Sequence, residues 1–344
     1  MTMITAPEDT RLLALTAWVS EQKNCACLLS PLGGDAGARR YFTLAEDDNL
    51  LAVDAPPASE NTVQFIQVAK CFSEQGVTVP AIIAADVAQG FLLVEHWHEG
   101  LFYQHVSGDN NPLLYGEALI KLLAIQQIPS QVANLPVFDS AFIQRELALF
   151  NDWFLAGELN YQISASEQQL LQQTFAVLEQ SALAQPQVVM HRDYHSRNLL
   201  LGRGGQLAVI DFQDAVIGPV TYDLVSLLKD CYHQLPLEQV QQWALSYGDM
   251  ALDAGVLPPL DARQFIRWFD LMGLQRHLKV LGIFARLNRR DNKSAYLKDL
   301  PRVLGYVLQT TEQYSELAEF SHWLKHTILP LCRTRPWWWE PQVL

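Results

Sequence analysis

Two apolar runs, Leu199-Leu200-Leu201 and Leu207-Ala208-Val209-Ile210, flank the turn Gly202-Arg203-Gly204-Gly205-Gln206. Glycine in so short a connection supplies the positive φ that tight turns need, so the two runs are expected to pair as a β-hairpin. The densest polar string in the chain, His191-Arg192-Asp193-Tyr194-His195-Ser196-Arg197-Asn198, leads into this hairpin, and Asp211-Phe212-Gln213-Asp214 leads out. Pairing brings Asn198 close to Asp211 whatever the rest of the chain does. Asp193 sits on the loop that feeds the first strand.

Upstream of this cluster the texture is that of a small sheet. Segments 25–34, 38–46, 49–55, 81–86 and 90–97 read as five short strands separated by Gly, Asp-Asp-Asn and Pro punctuation. An opening helix over 8–22 would carry Leu12, Leu15, Thr16 and Val19 on one face. A second, from Ser59 to about Gln75, carries Val63, Ile66, Ala69 and Phe72 and is stopped by Gly76. After Gly100 the pattern is helical: from Pro112 to about Ile128, Asp139 to Leu155, Ser166 to about Leu183, and a long amphipathic run from Asp261 to about Asn288. A β-type island at residues 187–211 interrupts it. The fold class is therefore α+β, with a β-rich lobe over residues 1–97 and a mainly helical lobe over 98–344. Polar residues gather near the junction, which suggests an enzyme with a cleft. The Trp337-Trp338-Trp339 cluster reads as a tail packed on the surface.

Composition narrows the partners. The chain has 344 residues, 49% of them hydrophobic and 18% charged, which suits a packed globular protein. Its net charge of −13 argues against nucleic-acid or anionic-membrane binding. No apolar run approaches the roughly 18 residues of a membrane helix, and Met1-Thr2-Met3-Ile4-Thr5 lacks the pattern of a secretory signal. A cytoplasmic location without an obligate protein partner is expected. The five cysteines are irregularly spaced, and Cys25-x-Cys27 is too tight for a zinc knuckle, so idle thiols in a reducing compartment are expected.

The chemistry of the cluster follows from its donor types. Two carboxylates and one amide oxygen, from Asp193, Asp211 and Asn198, converge here, and hard oxygen ligands of this kind suit Mg²⁺, which also takes phosphate oxygens. A carboxylate in such a cluster that is not a ligand can accept a proton from an attacking hydroxyl. His191-Arg192-Asp193 with Asn198 and then Asp211-Phe212 matches the H-R-D-x-x-x-x-N and D-F arrangement that protein kinases use. Gly33-Gly34-Asp35-Ala36-Gly37, between the first two strands, would let backbone N–H groups approach phosphate oxygens, although no G-x-x-x-x-G-K-[ST] loop occurs in the chain. The segment Val94-Glu95-His96-Trp97 joins the lobes, and its backbone suits an adenine edge.

These motifs resemble the aminoglycoside phosphotransferase/choline kinase superfamily, relatives of the protein kinases. Within it the chain looks most like bacterial N-acetylmuramate/N-acetylglucosamine anomeric kinases of cell-wall recycling. The strings that carry this resemblance are Gly34-Asp35-Ala36 with Arg39-Arg40-Tyr41-Phe42, Asp54-Ala55-Pro56-Pro57, HRDYHSRNLL at 191–200, VIDFQDAVIGPVTYDLVSLLKD at 209–230 and LQRHLKVLGIFARL at 274–287. The resemblance implies a protein-kinase-like two-lobe fold with a five-stranded antiparallel sheet. It implies ATP and Mg²⁺ as cofactors, Asp193 as catalytic base, Asn198 and Asp211 as metal ligands, and Gly33, Gly34 and Gly37 over the phosphates. The reaction it implies is phosphorylation of the anomeric hydroxyl of an amino sugar, in a peptidoglycan-recycling route.

The chain departs from the kinase pattern in two places. Its third strand, Leu50-Leu51-Ala52-Val53-Asp54, has no lysine for the phosphates. The adjacent Arg39 and Arg40 offer a cation instead. Strand alternation turns only one of them to the nucleotide, and Arg40 is the preferred residue. Glu60 is the nearest candidate for a partner carboxylate on the inserted helix, but it reads rather as a solvated first-turn acid. The second departure, Gln213 in place of a glycine after Asp211-Phe212, fits a constitutively active small-molecule kinase. His191 is expected to brace the catalytic loop and Asp223 to cap it. Asp214 is either a further metal or substrate contact or a turn residue. Candidate sugar-pocket residues are Trp153, Arg276, His277 and Lys279, near Asp152 and Glu146; a carboxylated sugar would favour Arg or Lys. The alternatives are another kinase of the superfamily, acting on an aminoglycoside or choline, and a non-catalytic nucleotide-binding regulator.

Overall fold

Strand alternation builds two faces in the N-terminal region of the computed structural model, which describes residues 9–33, 38–106 and 111–341. Helix α1 (Thr10–Lys23) is followed by β1 (Leu29–Leu32), β2 (Arg40–Leu44), β3 (Leu50–Asp54), α2 (Thr62–Glu74), β4 (Ile82–Asp86) and β5 (Phe91–Glu95). The strands form one antiparallel sheet in the order β1-β2-β3-β5-β4. Phe42, Leu44, Ala52, Phe91 and Leu93 face one way and close a core with Leu15, Trp18 and Val19 of α1. The intervening residues Leu51, Val53, Leu92 and Val94 face the other way, against Phe65 and Ile66 of α2. Asp9 and Asn61 cap the two helices, accepting from the N–H groups of Leu12 and Gln64.

The later elements in chain order are α3 (Asn111–Gln126), α4 (Ser130–Ala133), α5 (Ser140–Leu149), α6 (Ala165–Leu183), β6 (Gln187–Met190), β7 (Leu199–Leu201), β8 (Leu207–Val209), β9 (Val216–Pro219), α7 (Tyr222–Leu228), α8 (Leu237–Asp253), α9 (Ala262–Asp291), α10 (Leu300–Gln313), α11 (Ala318–Trp323) and α12 (Leu329–Arg333). The helix expected over Asp139 to Leu155 changes character midway. Beyond Leu149 it widens into a π-helix, Phe150–Glu158. Here Gly282 of α9 lies so close that a Cβ would stand 2.3 Å from the Leu149 carbonyl oxygen, so only glycine admits this approach.

The chain forms two compact units, and their boundary is not a single cut at residue 97. The first comprises residues 1–117 and 197–213; the second comprises 118–196 and 214–344. The hairpin β7–β8 joins the first unit for local reasons. Val209 N–H donates to the Thr78 carbonyl at 2.9 Å, Leu201 N–H donates to the Gly100 carbonyl at 2.9 Å, and Phe212 packs on Phe65 and Phe72 of α2 at 5.0 and 5.7 Å. In the second unit β6 pairs with β9 in register from Gln187↔Pro219 to Met190↔Val216. Strand β9 lies just beyond the β-type island expected at residues 187–211. Trp337 donates its indole N–H to Glu158 and Trp339 to the Lys298 carbonyl, as a packed tail requires. All five cysteines are free thiols.

Candidate functional site

The hairpin forms as expected, with Leu199↔Val209 and Leu201↔Leu207 paired. At its open end Ile210 N–H donates to the Asn198 carbonyl at 3.0 Å, which places Asn198 one step from Asp211. Asp211 is exposed, adopts a left-handed backbone (φ 62°), and accepts from Gln213 Nε2 at 2.8 Å. Asp tolerates that conformation better than most residues, and Phe212 buried on α2 holds it there. Among the described residues no three His, Cys, Asp or Glu side chains converge to cage a metal. What the hairpin offers is one carboxylate and one amide, a donor set that fits Mg²⁺ completing its shell with waters and phosphate oxygens.

Strand alternation separates the two arginines. Arg40 lies on the α1 face of the sheet, where it pairs with Asp9 and, at 2.5 Å, with the wholly buried Asp54, which Arg11 also holds. Arg39 lies on the α2 face. Its Nη2 meets Glu60 Oε2 at 2.9 Å, its Nη1 meets Gln213 Oε1 at 3.3 Å, and its guanidinium covers the Phe65 ring at 4.8 Å. Glu60 is thus a half-buried ion-pair partner rather than a solvated acid, with its side chain 17% exposed. The expected preference is for Arg40; the structure places Arg40 on Asp9 and Asp54, and Arg39 in the surroundings of Gln213 and Asp211.

The remaining residues that sequence reading assigns to the nucleotide also lie in the first unit. Gly33 follows β1 with open space around it; Gly34 and Gly37 fall outside the described residues. Glu95 ends β5 and accepts from the Ala81 N–H at 3.1 Å. Trp97 packs on Gly202, where a Cβ would stand 2.6 Å from the indole, and its indole N–H is buried without a partner.

In the second unit, Asp193 lies on a loop held by α7. Asp223 accepts from the backbone N–H groups of His191 (2.6 Å) and Arg192 (2.9 Å), the latter residue in a left-handed conformation (φ 75°) that these bonds sustain. Asp230, beyond the far end of α7, accepts from the Ser196 N–H at 3.0 Å. His191 Nδ1 accepts from the Asp193 N–H at 3.3 Å, the bracing role expected of it. Behind the loop lies a buried array that sequence reading placed only as neighbours. Glu146 of α5 accepts from Arg192 (3.1 Å), Lys279 (3.0 Å), Gln275 (3.1 Å) and Tyr222 (3.3 Å), and Lys279 also donates to the Tyr222 hydroxyl at 2.8 Å. Tyr222 and Gln275 carried no signal beyond standing beside Asp223 and Arg276.

Burial raises the Asp193 carboxyl, but Lys279, His195, Arg192 and Arg276 outweigh it and hold Asp193 well below the usual carboxylate range. Asp223 goes the other way: burial, assisted by Asp193, carries it to about 7 against the pull of its two N–H donors. Its native affinity for a proton exceeds the unfolded one, so its favourable contribution is full below about pH 4 and is lost as pH rises through about 7. Asp223→Asn removes this slope. In denaturant unfolding at pH 4, 5.5 and 8, the stability of wild type relative to the variant should fall with pH, and a constant difference would refute it.

Of the other pocket candidates, Trp153 is half-buried on the π-helix. Asp214 is exposed, with its carbonyl accepting from Arg192 at 3.3 Å. Arg276 and His277 are buried on α9. His277 stacks on Tyr306 at 4.9 Å and contacts the Lys229 carbonyl at 3.0 Å through Nε2; burial lowers its pKa to about 3. It packs as a neutral core residue.

The fold and these motifs are those of kinase-like phosphotransferases. Residues 29–269 match the phosphotransferase enzyme family, and the chain belongs to it. It is 38% identical to the N-acetylmuramate/N-acetylglucosamine kinase of Pseudomonas putida, over 90% of this chain and 95% of that protein. It is 40% identical to the Pseudomonas aeruginosa protein of the same name, over 86% and 87%. The fold is shared with an aminoglycoside 2′-phosphotransferase solved with GDP (TM-score 0.60, 16% identity, 89% of this chain and 100% of that one). It is shared too with a Plasmodium vivax ethanolamine kinase (TM-score 0.59, 12% identity, 88% and 90%). The chain is thus a phosphotransferase of the α+β, protein-kinase-like type, with a hydroxyl acceptor. No helix among the described residues is long and apolar enough to cross a membrane.

Proposed function

We propose that the chain transfers the γ-phosphoryl group of ATP to the anomeric hydroxyl of N-acetylmuramate and N-acetylglucosamine. The names of the relatives support the substrate class. The observation that carries the reading is the charge around Asp193: Lys279, Arg192 and Arg276, all buried or half-buried, surround the proton acceptor. That environment repels a polycationic aminoglycoside or choline and suits a neutral or acidic sugar.

Asp193 takes the proton from the C1 hydroxyl as the oxygen–phosphorus bond forms and the β–γ bridging bond breaks, releasing ADP. Asn198 and Asp211 would hold Mg²⁺, which when bound neutralises phosphate charge. Arg39, oriented by Glu60, supplies the cation that the third strand lacks. Gly33 lies over the phosphates, and the Glu95–Trp97 backbone meets the adenine. Positioning and fixed charge supply most of the acceleration.

Phosphorus NMR with MgATP and each sugar tests this. A new phosphomonoester coupled to the anomeric proton is expected. Coupling to the C6 protons overturns the position, and no product from either sugar overturns the substrate class.

A further inference from the structure

The three cations that surround Asp193 are not equally occupied. Arg192 and Lys279 both pair with the Glu146 carboxylate at 3.0–3.1 Å. Arg276 has no carboxylate of its own. Among the described residues its one hydrogen bond runs from Nη1 to the Cys231 sulfur at 3.6 Å, and its Nε is buried without a partner. Yet the side chain is only 3% exposed. A guanidinium carries five N–H donors in a rigid fork, and burying them unmatched is costly. Cys231 offers no compensation in charge, because burial pushes its thiol up to about 11 and it stays neutral. The groups facing Arg276 are Asp193 from the catalytic loop, Tyr222 and Asp223 from α7, and Cys231 after it. Asp193 and Asp223 are committed, to the acceptor hydroxyl in the reading above and to two backbone N–H groups respectively.

We propose that Arg276 is a specificity residue: its open donors receive a carboxylate carried by the acceptor sugar. This rests on the sugar-kinase reading and goes beyond it, since it assigns the residue that tells the acidic sugar from the neutral one. A buried guanidinium with an unpartnered Nε, in the electrostatic surroundings of Asp193, is built for a planar anion, which it can grip by two parallel bonds. N-Acetylmuramate carries such a group on its lactyl arm; N-acetylglucosamine has a hydroxyl at that position.

The test crosses the charge on the protein with the charge on the ligand. Steady-state kinetics are measured for N-acetylmuramate, its methyl ester and N-acetylglucosamine, on wild type, Arg276→Gln and Arg276→Lys. Removing Arg276 also alters the surroundings of Asp193 and with them the rate for all three acceptors, so the readout is the ratio of kcat/KM values. For Arg276→Gln the acid-to-ester ratio is expected to fall by about 10–100-fold, and for Arg276→Lys, which keeps the charge but not the fork, by several-fold. A ratio equal to wild type in either folded variant overturns the proposal, as does a wild type that treats acid and ester alike. Turnover of the neutral sugar alone by wild type also overturns it and leaves the kinase reading standing. No turnover of any of the three overturns the reading, and the site with it.

Discussion

Asp193→Asn is expected to lower turnover by roughly 10²–10⁴-fold, the usual cost of losing a general base, while ATP binds almost as tightly as before. The substitution is nearly isosteric, and the loop that carries it is held through backbone N–H groups by Asp223 and Asp230 rather than through the Asp193 carboxylate. The loop should therefore keep its place. What is lost is an anion that Lys279, His195, Arg192 and Arg276 keep deprotonated far below neutral pH. A base held so low is a weak one, so its contribution is orientation of the hydroxyl as much as proton affinity, and the lower half of the range is the better expectation. The measurement pairs single-turnover transfer with calorimetric ATP titration of the same variant. Transfer at the wild-type rate would remove Asp193 from the mechanism. A parallel loss of ATP affinity would show that it holds the nucleotide instead.

Much of the first unit was legible because its signals are local. A hairpin needs only two apolar runs and a glycine turn, so the approach of Asn198 to Asp211 could be read directly. The five strands were legible from their punctuation, and each formed within a few residues of its expected bounds. The face of β2 was not. Alternation says that Arg39 and Arg40 point oppositely, but which face meets α1 depends on Asp9 and Asp54, and neither is adjacent to Arg40 in sequence. The same limit hid β9, whose partner β6 lies across the hairpin, and the π-helix, which answers to Gly282 on α9. The Glu146 array was the least legible part. Glutamate on a helix face ordinarily reads as solvated, and only the tertiary meeting of α5, α7 and α9 buries it among Arg192, Lys279 and Tyr222.

That array makes Glu146→Gln the substitution with the largest expected effect on stability, a loss of about 3–5 kcal/mol. Burial raises the Glu146 carboxyl, yet Lys279 and Arg192 outweigh it and keep the group ionised. Removing the anion leaves both cations in a low-dielectric interior without the carboxylate they share, facing Tyr222, Gln275, the new amide and the more distant field of Asp193. Such an array is not there for stability alone, since apolar side chains of equal volume often do as well. It fixes direction: Glu146 sets the Arg192 side chain, and with it the strained turn that precedes Asp193. Lys279→Met placed in the Glu146→Gln background takes away one stranded charge, and part of the lost stability should return. A double-mutant cycle in denaturant then reports a coupling of about 1–3 kcal/mol between positions 146 and 279. If Glu146→Gln unfolds within about 1 kcal/mol of wild type, water reaches the array and the charges are screened. The turnover of the double variant completes the test. If the array directs the loop, restored stability will not bring restored transfer, because Arg192 still lacks the carboxylate that aims it.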